Sequence, residues 1–240
     1  MNPRRPSPQG GAVLLLLLAV LSLGAATLLL SALGGGRPEA RRELRTQNRL
    51  AQAREALVGF AIQHGRLPRP AASPLDGRER AQPCLDEAGC TGFLPWVALG
   101  VDGVDAWAKL LRYSVTPAFT RQPIERDRAL ATKTVLHRDA GGRLFFLAGG
   151  ARCTLQEQCS PAVLLSNGKN NLGVSVLGVA QANNNTGNRD EQLNDSALSG
   201  FVARAASDDP AVPGGSYDDM VSALPLTLLY RRMDAAGQLH

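Results

Sequence analysis

The chain has 240 residues, of which 44% are hydrophobic and 20% charged, a composition that suits one ordinary domain with attachments and excludes a wholly disordered chain. Its 26 basic and 21 acidic residues give a net charge of +5. Residues 1–54 hold eight arginines and two glutamates, so the rest of the chain has 18 basic against 19 acidic side chains. The excess charge flanks one N-terminal segment instead of covering a folded face, which argues against nucleic acid as a partner.

That N-terminal segment, residues 12–33, is apolar throughout and contains no charged residue, proline, asparagine or glutamine. As a helix its 22 residues reach about 33 Å, which is enough to cross the core of a bilayer. The segment is longer than the apolar part of a cleaved signal peptide, and no Ala-x-Ala site follows it. The sequence therefore predicts a retained transmembrane helix.

The two signals for orientation disagree. Two arginines precede the apolar segment and six follow it, and the positive-inside rule would then leave the larger part of the chain in the cytoplasm. The cysteines argue the other way, because Cys84 and Cys90 are spaced C-x5-C, and so are Cys153 and Cys159. Two matched pairs favour disulfides 84–90 and 153–159, ahead of crossed links, in an exported domain. A zinc site is the alternative, although C-x2-C spacings are absent.

Residues 34–38, Gly-Gly-Gly-Arg-Pro, predict a hinge after the apolar segment. An amphipathic helix is predicted over residues 39–65, ending at Gly65. Its apolar stripe recurs at three- and four-residue steps. The stripe consists of Leu50, Ala53, Leu57, Phe60 and Ala61.

The remainder, residues 66–240, begins with a proline-rich loop and continues as short apolar runs separated by turn residues. Such a pattern predicts hairpins of an antiparallel sheet, a polar loop region over residues 181–219, and a short C-terminal helix over residues 224–233. The predicted strands are residues 111–116, 134–137, 143–148, 162–166, 174–179 and 201–203. The fold class is therefore α+β, with a long N-terminal helix, membrane-spanning in its first half, packed on a small antiparallel β-sheet.

Several short stretches follow one another in a characteristic order. They are Ala56–Ala61, Gly65–Pro68, Gly92–Trp96, Asp105–Trp107, Arg112–Val115, Ala162–Gly168, Asp190–Glu191, Asn194, Phe201–Val202, Asp218–Val221 and Arg232–Met233. Together with a basic leader ending in glycine, an apolar helix, an amphipathic helix and paired cysteines, they resemble type IV pilins and the pseudopilins of type II secretion, in a branch of Gram-negative bacteria. The resemblance spans most of the chain.

The resemblance implies assembly and not catalysis. Residues 1–11 would be a cytoplasmic leader that prepilin peptidase removes after Gly10 or Gly11, which leaves Gly11 or Ala12 as the first residue. Residues 12–33 would lie in the inner membrane and later in a filament core, with residues 66–240 as a periplasmic pilin-like domain. The implied partners are other pilin or pseudopilin subunits, prepilin peptidase, an inner-membrane assembly platform and the lipid bilayer.

The chain departs from the family at the fifth residue after the cut. Pilins usually carry glutamate there, whereas this chain has Leu15 or Leu16. In the family that absence is a trait of subunits at the filament tip, so the sequence predicts a minor, tip or initiating subunit. The alternative is a signal-anchored periplasmic binding module that does not polymerise.

No catalytic site is predicted. Ser166 and Lys169 have the S-x-x-K spacing of an acyl-enzyme, but Asn167-Gly168 between them marks a turn and not a helix. The only candidate ligands for a metal are acidic side chains in polar loops, which could supply the oxygens that calcium requires. The resemblance adds to this prediction, because some pseudopilins bind calcium in a C-terminal loop. The alternative is a solvated loop region that uses these residues for turns and caps. The candidate calcium ligands are Asp190, Glu191, Asp208, Asp209, Asp218 and Asp219.

Overall fold

The computed structural model describes residues 14–24, 37–155 and 159–239, which belong to two compact units, residues 1–43 and 44–240. The helices in these ranges are α1 (14–24), α2 (Arg37–His64), α3 (Trp96–Leu99), α4 (Arg189–Ser196) and α5 (Leu226–Ala235). The strands are β1 (Thr91–Phe93), β2 (Arg112–Val115), β3 (Thr134–Arg138), β4 (Leu144–Ala148), β5 (Ala162–Ser166), β6 (Gly200–Val202) and β7 (Met220–Leu224).

The membrane-spanning helix and the single-pass inner-membrane location were wrong predictions. Among the described residues, no helix has both the length and the apolar character that crossing a bilayer demands. The described part of helix α1, residues 14–24, is about 16 Å long, roughly half the thickness of a bilayer core. The other ends of the predicted span, residues 12–13 and 25–33, and the leader cleavage site at Gly10, Gly11 and Ala12 lie outside the described residues.

The predicted fold class also needs correction in its sheet. A four-stranded antiparallel sheet has the order β1-β2-β5-β7, but a second sheet of three strands has the order β4-β3-β6, and β3 pairs with β6 in parallel. Strand β5 is central in the larger sheet and all five of its residues are buried. Its uninterrupted apolar run, Ala-Val-Leu-Leu, is typical of a strand covered on both faces.

The two faces of β5 belong to two clusters of buried side chains. Ala162 and Leu164 lie in the main core, where they pack with the apolar stripe of α2 and with helix α5. Val163 points to the opposite face and packs with Val135 of β3 and Phe201 of β6. The predicted stripe of α2 is buried in full, with each side chain at most 8% exposed. The larger sheet is therefore covered on one side by helices and on the other by the smaller sheet.

Most predicted strands lie close to observed ones, and a tight turn at residues 139–142 joins β3 to β4. The predicted strand over residues 174–179 was wrong, because Val174 forms only an isolated bridge to Ala180. Residues 181–219 contain a helix, α4, where a polar loop was predicted. The predicted C-terminal helix begins only at Leu226. Its first predicted residue, Leu224, ends strand β7, and Pro225 separates this strand from helix α5.

Both predicted disulfides are present. Cys84 pairs with Cys90 and Cys153 with Cys159, with Cα atoms 5.1 and 5.5 Å apart. The first disulfide lies in the main core, where Cys84 and Cys90 are at most 2% exposed. The second joins a half-buried cysteine to a buried one. The first disulfide thus closes the proline-rich loop directly onto the core.

Removing the first disulfide should destabilise the protein more than removing the second. On the chain-entropy model each seven-residue loop contributes about 2 kcal/mol. Serine at Cys84 and Cys90 would also bury two hydroxyl groups, which raises the expected loss to about 3–5 kcal/mol. Urea unfolding of the two double-serine variants, followed by tryptophan fluorescence, checks the order. Equal losses would show that burial of the sulfurs adds nothing.

Candidate metal centre

Helix α4 brings the acidic residues of the polar region together. The side chain of Asn194 in this helix is fully buried, and both its amide nitrogen and its amide oxygen form hydrogen bonds. Nδ2 donates to the carbonyl of Val202 and to Oδ2 of Asp219, each at 2.9 Å, while Oδ1 accepts the backbone N–H of Val202 at 2.7 Å. These bonds fix α4 against strand β6 and against the residue that precedes β7. A helix with so few apolar residues is thus held by its polar side chains.

Three carboxylates converge beside this helix. Each of Glu191, Asp218 and Asp219 offers an oxygen within 4.8 Å of the others. Glu191 accepts the backbone N–H of Asp218 at 2.8 Å through Oε1 and the amide of Asn188 at 2.6 Å through Oε2. Oδ2 of Asp218 accepts the backbone N–H of Asn170 at 3.0 Å, but its Oδ1 is buried without a hydrogen-bond partner. Oxygens in this arrangement could accept a proton or a cation.

Burial raises the pKa of two of these carboxyls. The pKa of Asp218 is raised to about 6 by desolvation, with a contribution from the nearby Glu191 carboxylate. Desolvation holds the pKa of Asp219 well above its usual range; Glu191 and Asp218 raise it further, whereas the hydrogen bond from Asn194 opposes the shift. Like charges this close are unfavourable in a low-dielectric interior. The folded protein therefore retains protons on this cluster that the unfolded chain would release.

A buried ammonium group stands next to the acidic cluster. Nζ of Lys109 donates to the carbonyls of Asn167 at 3.1 Å, Asn171 at 2.8 Å and Asn170, so it organises the loop that follows β5. Desolvation lowers the pKa of Lys109, and the charges of Asp218 and other nearby acids partly restore it. Three carbonyl oxygens around one cation resemble the way a protein loop wraps a metal ion. Here a side chain of the protein fills that position.

The six predicted calcium ligands do not form one set. Asp190 is fully buried and pairs with Arg138 and Arg204 at 2.7 and 2.8 Å. Asp208 pairs with Lys169 at 3.3 Å with its side chain 81% exposed, and Asp209 accepts the backbone N–H of Ala211. Only Glu191, Asp218 and Asp219 share a site among the described residues. A calcium ion there stays a prediction.

The residues with the S-x-x-K spacing are also separated in their contacts. Ser166 is buried and its hydroxyl donates to Oδ2 of Asp105 at 2.7 Å, while Lys169 reaches Asp208. Ser166 thus helps to hold the segment before Lys109, whose backbone N–H also bonds to Asp105.

Comparison of the chain with protein-family models, with curated proteins and with solved structures found no match.

Stability should decrease as the pH rises through about 6. A carboxyl with a raised pKa in the folded state binds more protons than in the unfolded chain, so its contribution is greatest below the unfolded pKa. Between pH 5 and 7.5, above the lowered pKa values of Glu79 and Asp139, we expect a loss of about 1–2 kcal/mol. Urea unfolding at both pH values measures it. Asp218→Asn should flatten the slope and the exposed control Asp208→Asn should not; a slope unchanged in both would contradict the account.

Calcium should act on the same carboxylates if it binds there. Millimolar calcium at pH 7.5 is expected to raise the melting temperature of the wild type by several degrees, because a ligand that binds only the folded state stabilises it. The shift should disappear with a chelator and in Asp218→Asn, but persist in Asp208→Asn. Absence of any shift, together with no heat in calorimetry, would remove calcium from this site.

Proposed function

We propose that this chain is a minor pilin-like subunit of a type IV pilus or of a type II secretion pseudopilus, joined to other subunits by helix packing. The observation that carries the proposal is helix α1. All eight of its large apolar side chains, Leu14, Leu15, Leu16, Leu17, Leu18, Val20, Leu21 and Leu23, are between 55% and 70% exposed. A surface of this kind is too apolar to remain in contact with water.

The energetics favour other helices as the partner of α1. Burying one leucine stabilises a contact by about 1.5–3 kcal/mol, so even half of these side chains would supply a strong association. The exposed residues surround the helix on all sides and do not form one stripe. A helix that is apolar all round can be enclosed by several neighbours at once, as in the core of a filament.

The unit formed by residues 44–240 supports the proposal in a different way. Helix α2 packs against an antiparallel sheet, and two disulfides close loops of the same unit. This arrangement suits a rigid domain carried outside a filament core. The absence of glutamate at Leu15 and Leu16 favours a subunit present in few copies, because neither residue can neutralise the terminal amine of a neighbour. The preferred partners are therefore other pilin or pseudopilin subunits.

Mass spectrometry of the mature N-terminus tests the class of protein. In cells with prepilin peptidase we expect a chain that begins at Gly11 or Ala12, and in cells without the enzyme a chain that retains its leader. Replacing both Gly10 and Gly11 with valine should block the cut and serves as the matched control. An identical, uncut N-terminus in both strains would contradict the proposal and favour a binding module that does not polymerise.

A further inference from the structure

Strand β4 is an edge strand with an unusually apolar surface. It pairs with β3 on one side, and within the described residues no strand pairs with its other side. Leu144, Phe145, Phe146 and Leu147 are 44%, 46%, 42% and 57% exposed, so side chains on both faces of the strand are about half exposed. Edge strands of native proteins usually carry charges or proline, which prevent pairing with other chains, and β4 has neither.

One irregularity lies within this strand. The register shifts opposite Val135 and Leu136, so Leu147 has no residue of β3 directly across from it. Bulges of this kind can protect an edge by twisting it. Here the unpaired residue is instead the most exposed leucine of the strand. The bulge therefore adds apolar surface to the open edge.

We propose that the occupant of this edge is β4 of a second copy of the chain, paired antiparallel across a two-fold axis at Phe146. In this register Phe146 faces its own copy, Phe145 faces Leu147, and Leu144 faces Ala148. Cross-strand pairs of aromatic and aliphatic side chains stabilise a sheet. The contact joins the two smaller sheets into one six-stranded sheet, β6-β3-β4-β4-β3-β6.

Charge disfavours a register in which the axis lies at residue 143. Arg143, whose side chain is 87% exposed, lies opposite Gly149 of the other copy, so the two arginines do not face each other. A shift of the axis to residue 143 would place these like charges directly opposite, which destabilises a pair of strands. A two-fold contact requires a self-complementary patch, and the apolar run of β4 provides one.

The size of the contact sets its strength. The exposed side chains of β4 provide on the order of 400 Å² per copy, about half of what a standard interface buries on each partner. We therefore expect a weak dimer that is best detected by trapping. Because a two-fold contact closes on itself, it does not build a filament, and its test is independent of the proposed function.

Cysteine cross-linking of the full chain tests the pairing. All four native cysteines are in disulfides, so one added cysteine provides the single free thiol. Phe146→Cys lies on the axis and should form a disulfide-linked dimer under mild oxidation at least about tenfold faster than the control Leu177→Cys, which is 77% exposed. Leu144→Cys, which faces Ala148 and not itself, should cross-link as slowly as the control.

Charge substitutions separate the two-fold contact from unspecific association through α1. Phe145→Glu with Leu147→Glu places like charges opposite each other in this register, so cross-linking of Phe146→Cys should fall to the level of the control. Mixing that chain with one that carries Phe145→Lys and Leu147→Lys should restore it. Retention of both native disulfides verifies folding. Equal cross-linking at residues 144, 146 and 177, or no rescue by the mixture, would overturn the proposal.

Discussion

Replacing Leu17 and Leu21 with arginine should reduce the amount of this chain in filaments at least about a hundredfold. The two residues lie one turn apart on α1 and are 55% and 66% exposed. In a bundle of apolar helices each arginine would lose the burial of a leucine and leave a charge without a partner. The effect is measured by mass spectrometry of sheared filaments, relative to the major subunit.

A matched control shows whether the effect belongs to α1. Arginine at Leu85 and Leu177, which are 74% and 77% exposed in residues 44–240, should leave the amount in filaments unchanged. Because arginine near the leader could also hinder processing, the N-terminus of the retained chain is determined in the same samples. Leu17→Ala with Leu21→Ala keeps the helix apolar and should give a smaller loss. Equal incorporation of the α1 and control variants would contradict helix packing as the mode of assembly.

Replacing Asp190 with asparagine should lower the free energy of unfolding by about 3–5 kcal/mol. Its carboxylate accepts from Arg138 through Nε and Nη2 and from Arg204 through Nε, at 2.7 to 3.1 Å. The guanidinium groups come from the end of β3 and from the segment after β6, so one side chain of α4 joins two parts of the smaller sheet. Without its charge, both arginines would remain confined without a counter-ion.

Gly214 packs closely against the carboxylate of Asp190. A Cβ atom at Gly214 would lie 2.0 Å from Oδ2 of Asp190, and the φ of Gly214 is +88°, so glycine is required there. Urea unfolding of Asp190→Asn is compared with Glu125→Gln, which removes an exposed ion pair with Arg128 and should change stability by less than about 1 kcal/mol. If Asp190→Asn lowers the free energy of unfolding by no more than Glu125→Gln does, the ion pairs of Asp190 with Arg138 and Arg204 do not stabilise the fold.

Sequence periodicity located the helix with one buried face and the strand that is buried on both faces. The stripe from Leu50 to Ala61 identified the buried face of α2, and the apolar run over residues 162–166 identified the central strand, because both patterns record contact with a core. Matched cysteine spacing identified both disulfides for a similar reason, since short loops bring their ends together. Local signals were sufficient where local contacts decide the structure.

The sequence was misleading where tertiary contacts decide. The residues of α4 look like a loop, because the helix is held by the hydrogen bonds of Asn194 and the ion pairs of Asp190 and not by an apolar stripe. The acidic side chains between residues 190 and 219 appeared equivalent in the sequence. In the structure, however, Asp190 forms ion pairs with Arg138 and Arg204, and no local pattern around Asp190 indicates these partners. Lys109 was missed as a partner of the loop after β5 for the same reason. The predicted transmembrane span rested on the length and apolar character of residues 12–33, but among the described residues no helix is long and apolar enough to cross a bilayer.

The central claim, that this chain is a minor subunit of a pilin-like filament, is tested most directly by quantifying it in purified filaments. Mass spectrometry of sheared filaments from wild-type cells gives both its abundance relative to the major subunit and its N-terminal residue. The account predicts a chain that is present at low stoichiometry and begins at Gly11 or Ala12. Its absence from the filaments, or an abundance equal to that of the major subunit, would contradict the account.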